Sequence, residues 1–400
     1  MIWYKKIKND RKKRLWVGLT VLSALLVGGA VFTLLNMPVN PNILLDPFYR
    51  SVQTKKSSDG CDQGALEYYA YSAVDPSAHK NNKFGLYIYA EEQDFFDLAE
   101  DLVNSNGGKW GYVLIPYNVK DYDRGKWRRV FSTLYKKQLI PVIQLYDVDT
   151  KKYKEQTDRA AEFLNSFLWP IRQRYISVYN EPNDTRFWKG YTDPKEYAEI
   201  LKYTVKTFKD RNENFFMMNG AFNVSAVSGD GYIDAFEYMR QMDEAVPGIF
   251  SMLDGWASHS YPQPAFSGSP YDSGRNSIRA YEVELKFLRE ELNVKKDLPV
   301  FITETGWAHA EGENYNSSYL SLDTVAKYME IAYEKYWLPD DRVLAVMPFT
   351  IWYRPPFDNF SWIDNDKKPY AHFEAIKSMK KVAGTPEKLV TENITIGECP

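Results

Sequence analysis

Residues 175–183 read Tyr-Ile-Ser-Val-Tyr-Asn-Glu-Pro-Asn. The β-branched and aromatic run at 175–179 has strand length and strand propensity, and the Asn-Glu-Pro that follows ends it in a turn. A glutamate, Glu181, therefore stands at the carboxyl end of a buried strand. The same construction recurs at 298–307, Leu-Pro-Val-Phe-Ile-Thr-Glu-Thr-Gly-Trp, where Glu304 closes the apolar run. Glutamates at strand ends lie where α/β barrels place their chemistry.

From residue 83 onward, short apolar runs alternate with amphipathic segments. The spacing predicts strands over 84–89, 111–116, 140–145, 175–179, 215–219, 255–258, 300–303 and 344–350. Helical faces lie between them: Phe95, Leu98, Ala99, Leu102 and Val103 share one, and Trp127, Val130, Phe131 and Leu134 another. Further helical patterns run over 160–167, 197–208, 233–242, 278–292, 325–336 and 371–379. Strict βα alternation implies a parallel sheet with right-handed crossovers. Eight such units close most naturally as an α/β (β/α)8 TIM barrel. An open doubly wound sheet is the alternative, but no glycine-rich fingerprint follows the first strand.

The amino terminus has a different character. Residues 1–14 carry a charge of +6, leaving −9 for the rest of a chain whose net charge is −3. From Leu15 to Leu35 no charge interrupts a Leu-, Val-, Ala- and Gly-rich run, long enough to cross a hydrocarbon core of about 30 Å as a helix. The basic side of such a span stays in the cytoplasm, so the expectation is a single-pass anchor with the large domain extracytoplasmic. The alternative is a cleaved signal peptide, with Gly28-Gly29-Ala30 as the small-residue site. Residues 36–60, with Pro38, Pro41 and Pro47 and then a polar stretch, read as a linker, and 61–400 as the catalytic domain with terminal extensions. The two cysteines, Cys61 and Cys399, mark the ends of that domain. Barrel termini lie near each other, and an extracytoplasmic location permits oxidation, so a Cys61–Cys399 disulfide is expected.

Composition narrows the ligand. An acidic domain without a basic stripe argues against nucleic acid. Two cysteines and four histidines without ligand spacing imply no metal site, and nothing calls for an organic cofactor. The 30 Tyr, 22 Phe and 11 Trp supply core bulk, and also flat faces on which sugar rings stack. Breaking a glycosidic bond takes a proton for the leaving oxygen and a group that meets the oxocarbenium-like centre, a task two carboxyls perform. In the fourth strand Ser177, Tyr179 and Glu181 alternate with Ile176, Val178 and Asn180, sending Asn180 and Glu181 in different directions. In the seventh, Val300, Ile302 and Glu304 share a side.

Asn180-Glu181-Pro182 and Thr303-Glu304-Thr305-Gly306-Trp307 resemble the strand-four and strand-seven motifs of clan A glycoside hydrolases, and the likeness extends over residues 80–382. It implies a retaining glycosidase cleaving a β-linked oligosaccharide or polysaccharide, with Glu181 as acid/base and Glu304 as nucleophile. It further implies that Asn180 binds the substrate beside the nucleophile and that His259-Ser260-Tyr261 supplies a histidine and a tyrosine, Tyr261 bonding Glu304. Trp352 matches the tryptophan under the sugar, and Trp307 is a further groove candidate. At two places the clan pattern is absent: Ile115-Pro116-Tyr117-Asn118 and Gln144-Leu145-Tyr146-Asp147 stand where many members carry Arg and His. Asn118, Gln144 and Asp147 remain candidates for contact with sugar hydroxyls. Families 5 and 39 fit about equally.

Two other readings use the same residues. A carbohydrate-binding module on an inactivated barrel would have no need of both glutamates. A transglycosylase differs only in the acceptor that reaches the intermediate. A carboxylate-bound metal hydrolase ranks below both for want of histidine ligands. The sugar, endo or exo action and the oligomeric state are not legible in the sequence.

Overall fold

A computed structural model describes residues 51–56, 62–73 and 78–396. The basic segment 1–14, the apolar run 15–35, Cys61 and Cys399 lie outside the described residues. Among the described residues no helix is long and apolar enough to cross a membrane.

The chain divides into two compact units. In the smaller, 1–70 with 391–400, strand β1 (Ser51–Lys56) pairs antiparallel with β2 (Asp62–Tyr71). Strand β11 (Leu389–Ile396) lies next to β2 in the sheet order. Residues 51–56, inside the expected linker, are thus strand.

The larger unit, 71–390, is an α/β fold built on parallel strands and compatible with a TIM barrel. Strands β3 (Gly85–Tyr87), β4 (Gly111–Asn118), β5 (Leu139–Tyr146), β6 (Arg174–Val178) and β7 (Phe215–Asn219) form one sheet in that order. Strands β8 (Trp256–His259), β9 (Val300–Glu304) and β10 (Val343–Val346) form another. Parallel bridges Met218–Gly255 and Phe84–Val346 join the two sheets at both edges. Each expected strand and helix has its counterpart. Helices at Gln93–Val103 and Arg124–Lys136, for instance, bury the faces anticipated for them.

Alternation along the strands divides the core. Tyr112, Leu114, Val142, Tyr175, Ala257 and Phe301 belong to an inner cluster. Val113, Ile143, Ile176, Val300 and Ile302 join the outer core that includes the helices. The inner layer is closed by aromatic contacts, with Tyr175 and Phe301 ring centroids 4.9 Å apart and Tyr112 and Phe301 6.1 Å apart. Those rings fill the interior between the strands, and the main pocket opens beyond their ends.

Candidate active site

Local breaks in the strands aim the functional side chains. Strand β6 ends at Val178, and Tyr179 and Glu181 take positive φ values of 73° and 36°. This left-handed backbone, unfavourable for residues with a Cβ, is the kind of strain found at functional sites. It interrupts the alternation expected through Glu181. Tyr179 packs with the outer core, while Asn180 and Glu181 both line the pocket instead of diverging. The Glu181 amide donates to the Ala221 carbonyl at 3.0 Å, tying the turn to the segment after β7. Asn183 fastens it further, donating to the Asn223 and Ile233 carbonyls and accepting from the Asn223 amide.

Glu304 is a second correction of the same kind. Val300 and Ile302 face the helices, so simple alternation would send Glu304 there too. The β8–β9 register instead shifts: Ser258 faces Ile302, and His259 faces Glu304. The extra residue, Thr303, makes a bulge that turns the next side chain to the other face. Glu304 therefore enters the pocket.

Three groups converge there. His259 Nδ1 lies 2.9 Å from Glu181 Oε1 and 3.6 Å from Glu304 Oε2. One donor atom from each of the three residues fits within 4.8 Å of the others. The side chains of Glu181 and Glu304 are only 8% and 12% exposed, so little water screens them. Tyr261 donates its hydroxyl to Glu304 Oε2 at 3.1 Å. Two flanking carboxylates keep a proton on Nδ1, while Nε2 is buried without a hydrogen-bond partner among the described residues. Burial pulls the His259 pKa down, but Glu304 and Glu181 outweigh it and the net direction is upward. Burial pushes Glu304 up to about 7, reinforced by Glu181 and opposed by His259 and Tyr261. Burial, Glu304 and Glu181 likewise push Tyr261 upward, so it remains a hydroxyl donor. Two carboxylates and an imidazole also form a donor set that a divalent cation can use.

The pocket encloses about 650 Å³. Gln144 lines it, donating to Asn180 Oδ1 at 3.1 Å and accepting from the Tyr87 hydroxyl at 3.3 Å. Asp147 stands at the rim with Lys120 at 2.9 Å and Lys189 at 3.5 Å. Burial pushes Asp147 upward, but Lys120, Asn118 and Lys189 together outweigh it and hold the carboxyl below the usual range. Asn118 does not line the pocket; its amide reaches Asp147 Oδ2 at 3.1 Å and supports it from behind.

Two tryptophans lie elsewhere than expected. Trp307 is buried, its indole donating to the Gly268 carbonyl at 2.7 Å, and serves as a prop beneath the loop after β8. Trp352 lines a neighbouring cavity and donates to Asn365 Oδ1. The first aromatic after β10 at the pocket wall is Phe349, whose ring lies 5.1 Å from Tyr87 and 5.5 Å from Tyr353. The sequence reading missed Phe349, Tyr87, Tyr89 and Tyr353. Tyr87 could have been found as an inward position one pleat from the strand top, whereas Phe349 and Tyr353 lie in irregular backbone.

No protein-family model matches the sequence, and no curated protein matches it. Among solved structures, the chain is similar to a GH128 (subgroup II) endo-β-1,3-glucanase from Pseudomonas viridiflava, with TM-score 0.48, 15% identity, and coverage of 75% of this chain and 98% of that one. It is also similar to a β-glucuronidase from Ruminococcus gnavus in complex with D-glucuronic acid, with TM-score 0.48, 12% identity, and coverage of 82% and 51%. A third is a GH2 β-galacturonidase from Eisenbergiella tayi bound to glycerol, with TM-score 0.49, 10% identity, and coverage of 82% and 53%. This chain spans about half the length of the latter two. Likeness of that degree does not bear on the chemistry, which rests on the geometry of the site.

Proposed function

We propose that the protein is a retaining glycoside hydrolase acting on a β-linked glycan, with Glu181 as acid/base and Glu304 as nucleophile. The observation that carries this reading is the pair of buried carboxylates on opposed strand ends, with oxygens within 4.8 Å of each other. Retaining pairs stand about 5–5.5 Å apart, whereas inverting pairs need roughly 6.5–9.5 Å to admit a water.

In the first step Glu304 attacks the anomeric carbon as the bond to the leaving oxygen breaks, and Glu181 gives its proton to that oxygen. In the second, Glu181 takes a proton from water, the hydroxyl adds to the anomeric carbon, and the Glu304 ester bond breaks. Burial raises Glu304 to about 7, so the proton it holds must stand on Glu181 when Glu304 attacks. His259, within reach of both carboxylates, is placed to hold positive charge between them while substrate settles. Tyr261 stabilises ionised Glu304 through its hydroxyl.

The cellular setting belongs to the same proposal: a membrane tether through 15–35, a catalytic domain outside the cytoplasm, and a Cys61–Cys399 disulfide. Resistance to alkaline extraction and a mass shift on reduction test these points. The central test is incubation with a panel of activated 2-fluoro glycosides. A stable adduct on Glu304 is expected, naming nucleophile and sugar together. An adduct on Glu181 would exchange the roles. No adduct, with the same sugars still bound, would transfer the reading to a binding module. Chelation by EDTA is expected to leave turnover unchanged; loss restored by a divalent cation would favour a metal on Glu181, His259 and Glu304.

A further inference from the structure

Beside the glutamate pocket lies a second cavity of about 500 Å³. Tyr89, Glu91 and Tyr353 line both, so the two are continuous across a ridge formed by the Tyr89 and Tyr353 rings, whose centroids are 6.0 Å apart. On the far side of the ridge stands Trp352, half-buried. Its indole nitrogen donates to Asn365 Oδ1 at 3.1 Å, which fixes the ring plane. The backbone on either side is anchored too: the Ile351 amide donates to the Tyr87 carbonyl at 2.9 Å, and the Tyr353 amide to Ser361 Oγ at 3.0 Å. An apolar ring held rigidly yet left partly wet forgoes the hydrophobic stabilisation that full burial would give. A ligand that covers the ring recovers it without ordering anything first.

We propose that the Trp352 cavity is a distal subsite for the same glycan, so that the substrate is a chain long enough to occupy both cavities. The inference rests on the glycosidase reading of the first pocket. Continuity commits the occupant: whatever lies over Trp352 is attached to the sugar held at Glu181 and Glu304. The rim chooses a saccharide over an acyl tail. Glu91, Glu92, Arg354, Asp364 and Lys367 surround the aromatic floor. Hydrocarbon would strip these charges of water and give nothing back. Hydroxyls around a sugar ring can bond them while its apolar face lies on the indole.

The test uses the Glu304→Gln protein, with and without Trp352→Ala, titrated with β-1,3- and β-1,4-linked gluco-, manno- and N-acetylgluco-oligosaccharides of two to six units. Alkyl β-glucosides of increasing tail length are titrated in parallel. In the series that binds, affinity is expected to rise by roughly tenfold or more between the shortest and longest members, and Trp352→Ala to collapse that ratio toward one. Three results overturn the subsite: a length ratio that survives Trp352→Ala, an equal loss at every length, or affinity that follows the alkyl tail instead of the sugar count. If no glycan binds and the wild-type protein turns none over, the glycosidase reading itself fails. Turnover without any dependence on length sinks the subsite alone.

Discussion

The two ends of the parallel strands bury charge in opposite ways. At the amino-terminal end Lys381 is 5% exposed, and burial pulls its pKa down to about 8. Its ammonium nevertheless donates to the carbonyls of Ile376, Lys377 and Met379 and to Ser105 Oγ. At the carboxyl-terminal end, Glu181 and Glu304 are buried against each other, with one imidazole between them. Lys381 faces four acceptors and the Phe84 ring, 4.7 Å from its ammonium, while each glutamate faces a like charge. The first arrangement satisfies the group, and the second stores a conflict that, on the proposed reading, a reacting sugar relieves. The satisfied charge and the conflicted pair thus occupy opposite ends of the strands, an arrangement that a TIM barrel permits.

The sharpest break of this contrast is the rate. Glu181→Gln and Glu304→Gln are each expected to lower kcat/KM by about a thousandfold or more while leaving the circular dichroism spectrum unchanged. Unchanged turnover in Glu304→Gln would end the assignment of the upper end to chemistry. Lys381→Met should do the reverse. Stripping four acceptors of their cation costs about 1–3 kcal/mol of stability in a urea titration, with kcat/KM per folded molecule unaltered. A loss of activity without a loss of stability would mean that the lower end takes part in function.

Glu304→Gln carries a second signature. Burial raises Glu304 in the folded state from 4.5 to about 7. Its stabilising contribution is full below the unfolded value and is lost as pH rises through the folded one. The glutamine protein should therefore match the wild type near pH 4 and exceed it at pH 8, by on the order of 1–3 kcal/mol. A lower urea midpoint for the glutamine protein at pH 8 would show that the glutamate pair is not in conflict.

How much of this was legible depends on periodicity. Strands β3 to β10 and their helices could be read because side-chain direction repeats, every second residue in one and every 3.6 in the other. The strand-end glutamates were visible for the same reason, as polar residues closing apolar runs. Their directions were not, because a left-handed turn at Tyr179 and Glu181 and a bulge at Thr303 each break the repeat the reading relied on. Phe349 and Trp352 show where the signal ends. Both follow β10 on irregular backbone, and three residues along such a loop can separate one cavity from another. The sheet of β1, β2 and β11 was missed because β2 and β11 are paired across nearly the whole chain, and no local pattern announces a partner that distant.

The smallest expected effect is the most specific to the upper end. Tyr261 touches Glu304 with one hydroxyl, at 3.1 Å, and that bond favours the ionised carboxylate. Tyr261→Phe keeps the ring and its edge contacts with Phe266 and Phe360 but removes the donor. The Glu304 pKa should then move further upward from about 7. On the proposed mechanism Glu304 acts ionised, so the acidic limb of the kcat/KM profile should move to higher pH by up to ~1 unit. The loss of rate should be largest near pH 6 and should shrink as pH rises past 8. A tyrosine that only fills space would lower the rate equally at every pH, leaving the limb where it was. That outcome would remove Tyr261 from the charge conflict and leave His259 as its one moderator, whereas a shifted limb fixes the hydroxyl as part of it.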